Sequence, residues 1–452
     1  MSQRKPTRPM AQATDAFAVE FDPLFKRLSQ RENFRYYLSG LLIPMETNKH
    51  LRGIAAAISE ANVERLQHFL VDAPWSAVDI NAQRLKLLQA NPATRWHGGG
   101  VLIIDETGDR KKGKASAYVS RQYLGSLGKI DNGVVCVSSH WADEHVHYPL
   151  NVLPYTAAER LPDGKHNPQF ASKPQLAQRL IEEARQAGIP FRAVVGDSFY
   201  GEHHKLTHWL RDEQIPFVLA LKPTHAIRQY VPDWDNPPPF SPQEAVQRLP
   251  VKQWQPFQRT FADGHQATWY VVDLEWGYFG PERPWRLVAL TADSLTLDPD
   301  QTSYLYTNIP ASQAAAAEIA RLYTLREWIE VFYRQAKGEL GWHDWQIRDG
   351  KAIVRHWHLV LCAYTFVLLH GLSHAASQKN NSTVFPATLD GLFARRAGLV
   401  TSLDRHASLV DGLDDRRTPA GLSRSFGSCP GFPSIRTQVT RLALQQNPKR
   451  MS

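Results

Sequence analysis

Four polar residues break an otherwise apolar stretch, "YTLREWIEVFYRQAK" (323–337): Tyr323, Arg326, Glu330 and Lys337. Read as one helix turning about 100° per residue, with Tyr323 as origin, the last three fall at about 300°, 340° and 320°. All four share one narrow arc, while Leu325, Trp328, Ile329 and Phe332 form an apolar face on the other side. A carboxylate fenced by two cations and a phenol suits a solvated face built on i,i+4 pairs. It equally suits a site that grips a metal and a phosphate together. Two aspartates give the second choice weight. Asp105 and Asp197, 92 positions apart, each directly follow a short apolar run, "VLII" and "AVVG".

The chemistry that needs two strand-end aspartates and a helical glutamate is two-metal phosphoryl transfer. Mg2+ takes hard oxygen ligands and keeps several waters, so two or three carboxylates suffice for a pair of ions. Two ions about 3.5–4 Å apart activate an attacking water or 3′-hydroxyl and stabilise the leaving oxygen. Asp at a strand end is also a common turn or cap residue, and each aspartate alone fits that use. Neighbouring acids Glu106, Asp109, Asp131, Glu202, Glu327 and Glu339 compete for the same role, Glu327 most closely because it lies near the stripe.

These residues require elements to hold them. After a basic tail (1–16), residues 17–95 carry helical periodicity and predict a helical N-terminal domain. From "HGGGVLIIDETGD" the pattern becomes three strands, helix, strand, helix, strand, with the helix "KPQLAQRLIEEARQAG" stopped at Gly188. That order predicts an α/β domain with a mixed sheet over 96–223 and 311–377, its site at the strand ends. Residues 224–310 interrupt it with a Pro-rich piece and alternating aromatic segments ("ATWYVVDLEWGYFG", "WRLVALTA", "TSYLYTN"), a β-rich insertion. Past 377 the chain is weakly patterned and basic, with eleven Lys/Arg against five Asp over 378–452.

The whole chain, 452 residues with a net charge of +8, is too long for one simple core. A second basic run, Arg110–Lys129, has six cations and no acid, and it directly follows the first aspartate. Lys111, Lys112 and Arg121 within it are candidate DNA contacts. Cys136, Cys362 and Cys429 are far apart and odd in number, which points to a reducing compartment and no cysteine-based zinc site. The histidine pairs His145/His147, His203/His204 and His356/His358 lack companion ligands and read as structural. No signal segment is evident, and "LVLCAYTFVLLHGL" (359–372) is too short for a bilayer, so a cytoplasmic protein with a buried helix is expected.

The stripe Tyr323, Arg326, Glu330, Lys337 has the form Y-x2-R-x3-E-x6-K and resembles the signature around the catalytic glutamate of DDE insertion-sequence transposases. "IDETGDRKKGKASAYVSRQYLGSLGKIDNGVV" resembles the first-aspartate region of one branch of that family, and "VVGDSFYG" its second-aspartate block. The three blocks occur in the expected order, and the resemblance runs from about residue 20 to 375. It implies an RNase H-like catalytic domain, with Asp105, Asp197 and Glu330 as ligands of two Mg2+ ions (Mn2+ able to substitute). Tyr323, Arg326 and Lys337 would bind DNA phosphates. Activity would be nicking at element ends and transfer of the freed 3′-hydroxyls into target DNA, with a homodimer or larger assembly on terminal inverted repeats. In relatives the β insertion can stack a flipped base on an aromatic ring. Trp269, Trp276 and Trp285 are candidates for that here, against plain core packing. Two rival functions stand beside this one: an inactive, transposase-derived DNA-binding protein, and a metal-dependent nuclease without strand transfer.

Overall fold

A computed structural model describes residues 12–45, 48–228, 238–262, 264–274, 277–278 and 284–377. Trp276, Cys429 and the basic segment past 377 lie outside the described residues. The chain opens with five helices, α1 (Gln12–Val19), α2 (Leu28–Leu42), α3 (Leu51–Ala57), α4 (Val63–Val71) and α5 (Ala77–Ala90). Their caps follow from sequence: Asn62 and Ser76 each accept the backbone N–H three residues on, at 3.1 and 3.2 Å.

The sheet begins with β1 (Val101–Arg110), β2 (Ser120–Leu124), β3 (Lys129–Ala142) and β4 (His147–Pro154). Next come α6 (Lys173–Gln186), β5 (Ala193–Gly196), α7 (Ser198–Gly201), α8 (His204–Asp212) and β6 (Phe217–Leu221). β1 pairs antiparallel with β3 and parallel with β5, β5 pairs parallel with β6, and β4 pairs with β3 on its other edge. Three antiparallel strands followed by two parallel ones, with helices on the sheet faces, is the RNase H-like arrangement. β5 is buried along its whole length, as its continuous apolar run requires.

The insertion adds α9 (Pro242–Gln247), β7 (Gln255–Thr260), β8 (Gln266–Asp273), β9 (Gly277–Tyr278), β10 (Pro284–Thr291) and β11 (Thr302–Thr307). β11 pairs antiparallel with β6, so the same sheet continues outward in the order β11, β10, β8, β7. The chain then returns through α10 (Ala316–Thr324), α11 (Glu327–Glu339) and α12 (Gly350–Ser377).

Helix α12 is the core helix. It has a 24-residue apolar stretch, Gly350–Ser373, long enough to cross a membrane, yet 89% of its most apolar 18 residues are buried inside the protein, where the helix packs against α2, α4, α5 and β4. Buried arginines weld these layers. Arg84 of α5 donates to Leu150 O (2.7 Å) and Pro149 O (2.8 Å) of β4 and to Thr365 of α12 (3.2 Å). Arg355 of α12 donates to Leu70 O and Ala73 O, each at 2.7 Å, and its guanidinium stacks on Trp75. Each brings a charged donor to buried backbone carbonyls of neighbouring elements.

Candidate active site

β1 and β5 are in register from Val101↔Ala193 to Ile103↔Val195. Two residues further along each strand stand Asp105 and Asp197. Parallel register therefore sets both aspartates at one level on neighbouring strands, which lie about 4.8 Å apart. Asp105 is the fifth residue of β1; Asp197 follows β5 and caps α7, accepting from Phe199 N (3.0 Å) and Tyr200 N (3.4 Å). Gly201 allows this: a Cβ there would run into the backbone carbonyl of Ala220 on β6. Tyr306 on β11 fixes the same turn by donating to Gly201 O at 2.6 Å.

The third acid arrives on α11. Ile329, Phe332 and Ala336 bury the inner face of that helix. Tyr333 donates to Asp105 O (3.2 Å) and shares a 2.6 Å hydrogen bond with Ser138 on β3, whose Cα is paired with that of Asp105. The helix is thereby pinned across β1 with Glu330 at its open edge. Stretch 323–337 is not one continuous helix, as its periodicity predicted. α10 ends at Thr324 and α11 begins at Glu327. Between them the backbone keeps right-handed helical dihedrals but tightens to i→i+3 bonds, Arg326 N→Tyr323 O (3.0 Å) and Ile329 N→Arg326 O (3.2 Å). Arg326 stands at this joint.

Its guanidinium joins two of the acids, donating to Asp105 Oδ2 at 2.9 Å and to Glu330 Oε1 at 2.5 Å. Tyr323 lies beside the same guanidinium. Burial pushes the Asp105 carboxyl up to about 8; Arg326 pulls it down, while Asp197 and Glu106 push it further up. Burial, then Glu106, likewise raises Asp197. Burial works against the Arg326 charge, yet Asp105, Tyr323, Glu330 and Asp197 together hold its pKa above the ordinary value. Among the described residues, no three His, Cys, Asp or Glu side chains are already arranged around a metal position. The Arg326 guanidinium lies between Asp105 and Glu330 and pairs with both. Hard carboxylate oxygens converging in a desolvated, charge-starved site fit a divalent cation.

Several of the rival acids have partners of their own. Glu106 accepts from Tyr200 (2.6 Å) and Lys173 (3.0 Å). Glu327 turns toward Arg259 of β7 (3.5 Å), and Asp131 pairs with Arg110 (3.2 Å). Lys337 reaches Asp109 (2.7 Å) and Gly108 O (3.2 Å) on β1, within the same face but already paired. Lys111 is tucked in: its ammonium donates to His343 O (2.8 Å) and Trp345 O (3.2 Å) and lies 3.5 Å over the Trp345 ring. Burial lowers its pKa to about 8. Lys112 and Arg121 are exposed. Trp285 is core, packed on Phe217 and Tyr306, and Trp269 holds the guanidinium of Arg259 at 4.3 Å. His147 stacks on Trp328, while His356 bonds Tyr37 and His358 bonds Asn151. Sequence reasoning missed Arg259, whose polar strand "QPFQRT" gave no signal of a role beside the acids.

Tyr323, Arg326, Glu327, Glu330, Arg259 and Ser303 line a cleft of about 250 Å³ between α10–α11 and the insertion. Comparisons with known proteins place the chain in a family. A model of the DDE superfamily endonucleases matches residues 20–278, a span that holds Asp105 and Asp197 and stops before Glu330. A probable transposase for insertion sequence element IS701 from Microchaete diplosiphon is 31% identical over 352 residues, which cover 77% of this chain and 85% of that protein. Among solved structures, a cryo-EM structure of the piggyBac transposase synaptic complex with hairpin DNA aligns over 91% of this chain and 85% of its own, with 13% identity and a TM-score of 0.45. The chain belongs to the DDE superfamily of endonucleases, in the company of insertion-sequence transposases.

Proposed function

We propose that the protein nicks DNA at the ends of its own insertion sequence and joins the freed 3′-hydroxyls to target DNA, with Asp105, Asp197 and Glu330 as the catalytic acids. The observation that carries this reading is the convergence of all three on one guanidinium's surroundings: Arg326 bonds Asp105 and Glu330, and Asp197 stands level with Asp105. The same three carboxylates are the ligands of divalent ions, Mg2+ by their hardness and with Mn2+ as a substitute. When bound, such ions supply activation of the attacking oxygen and neutralise charge at the scissile phosphate.

The chain's own groups do the rest. Tyr333 and Ser138 hold α11 on β1 and so fix the approach of Glu330 to Asp105. Arg326 compensates the charge of Asp105 and Glu330 and offers forked donors that suit a DNA phosphate. Tyr323 orients that guanidinium. Lys337, held by Asp109 at the far end of the stripe, adds positive potential for the strand. Lys112 and Arg121 meet DNA flanking the cut, whereas Lys111 contributes by clamping the loop after α11. The N-terminal helices and the basic segments recognise the element's terminal repeats, in a dimer or larger assembly that acts in the cytoplasm.

The test is incubation of the purified protein with its element's end DNA and a target plasmid, with Mg2+ or with EDTA. The account expects metal-dependent nicks at the element boundary followed by joined products. Nicks that never yield joined products identify a nuclease without strand transfer. Specific binding with no nick under either condition overturns the enzymatic reading and identifies a DNA-binding derivative.

A further inference from the structure

Arg259 enters the cleft from β7, the strand furthest along the sheet from β1, and faces Tyr323, Arg326 and Glu330 across it. Its guanidinium packs against two rings that meet edge to face, 4.2 Å from the Phe261 centroid and 4.3 Å from that of Trp269. Ring contacts of this kind confine the guanidinium without using its N–H groups. One acid approaches, Glu327, at 3.5 Å, the long end of an ion pair. The Nε–H is buried and has no hydrogen-bond partner among the described residues. A buried donor left open is costly and is relieved by an acceptor entering from the cleft. Arg326, by contrast, is occupied by two carboxylates.

We propose that Arg259 is a phosphate-binding residue of this site, gripping through its fork a phosphodiester of the DNA strand beside the one that is cut. The inference rests on the reading of the cleft as the DNA-cleaving site. A phosphodiester offers two oxygens at the spacing of adjacent guanidinium donors, and it displaces the loosely held Glu327. Phe261 and Trp269 are then the walls that aim the fork, so the insertion contributes a positioning residue to the acids of the sheet.

The experiment uses the full chain and element-end DNA in which single phosphates around the cut are replaced, one at a time, by neutral methylphosphonates. Binding is measured in EDTA, and cleavage by wild type in Mg2+ is followed separately. For wild type, one replaced linkage near the cut should weaken binding roughly tenfold to 100-fold. R259Q should weaken binding of unmodified DNA by a similar factor and lose sensitivity to that one linkage, while other linkages keep their effect. R259K, which retains charge without the fork, should fall between, and it carries the test if R259Q does not fold. A linkage profile unchanged in both variants overturns the proposal, even if affinity falls overall. Absence of cleavage by wild type counts against the enzymatic reading alone, because the linkage profile in EDTA still decides the role of Arg259.

Discussion

Removing Arg326 should expose how strongly this site is held together by one cation. The side chains of Arg326 and Asp105 are 21% and 13% exposed, whereas Glu330 is 59% exposed. Breaking a fully buried pair from one side costs about 3–5 kcal/mol, so with this partial exposure R326Q should cost about 2–3 kcal/mol. The bond to Glu330 is an exposed i,i+4 pair and should contribute about 0.5 kcal/mol or less. Asp105 itself has the opposite sign. Its carboxyl is raised to about 8, above its unfolded value, so the folded protein holds a proton that the unfolded chain releases. Stability therefore falls as pH rises from the unfolded pKa of about 4 toward 8, and D105N should stabilise the metal-free protein at alkaline pH. The assay is urea unfolding in EDTA at about pH 8.5 for wild type, R326Q, D105N, E330Q and the two double variants containing R326Q. The coupling of Arg326 to Asp105 should be about 2 kcal/mol, several times that to Glu330. Additive effects of R326Q and D105N would refute the bridge and the electrostatic reasoning built on it.

Two further outcomes follow from the packing. G201A should cost about 1–3 kcal/mol and slow cleavage, because its Cβ meets the Ala220 carbonyl under the Asp197 turn, whereas G338A in α11 has open space and should be neutral or stabilise by up to about 1 kcal/mol; paired urea titrations and cleavage rates check both. Burial holds the pKa of His147 near about 3 and those of His356 and His358 near about 4, below their unfolded value, so these histidines stay neutral when folded. The histidine contribution to stability should be full above about pH 6.5 and fall as pH drops toward 4, by on the order of 1.4 kcal/mol per pH unit for each histidine and against the opposite slope from Asp105, read as a shift of the urea midpoint between about pH 7 and 5 in wild type and D105N.

Much of the catalytic sheet was legible in the chain because its strands are buried on both faces. "VLII" and "AVVG" are short apolar runs that form the buried neighbours β1 and β5, and Asp105 and Asp197 stand where those runs end. The stripe on 323–337 singled out Arg326 and Glu330, which the structure brings together with Asp105. What escaped was set by partners far away in sequence. Nothing near Leu325 marks the joint between α10 and α11, since neither Gly nor Pro interrupts the periodicity and the break is a change of hydrogen-bond step. The charge of Lys111 invited a DNA contact, but carbonyls of His343 and Trp345 from the other end of the domain consume it. Buried Arg84 and Arg355 look like surface residues on a helical wheel; their carbonyl partners come from loops and strands that a wheel does not contain. Arg259 was hidden for a related reason: β7 alternates polar residues like an exposed edge, and only the sheet's continuation carries it to the acids.

The most direct test of the central claim, that three acids act as one metal-dependent unit, is the single-turnover rate of nicking on element-end DNA in Mg2+. Wild type should be compared with D105N, D197N, E330Q and the D105N/E330Q pair. Groups that act as a unit do not lose rate additively, so each single variant should lose roughly 1000-fold or more and the pair should lose little beyond either one. A single variant that nicks at the wild-type rate, or a pair whose losses multiply, would contradict the account.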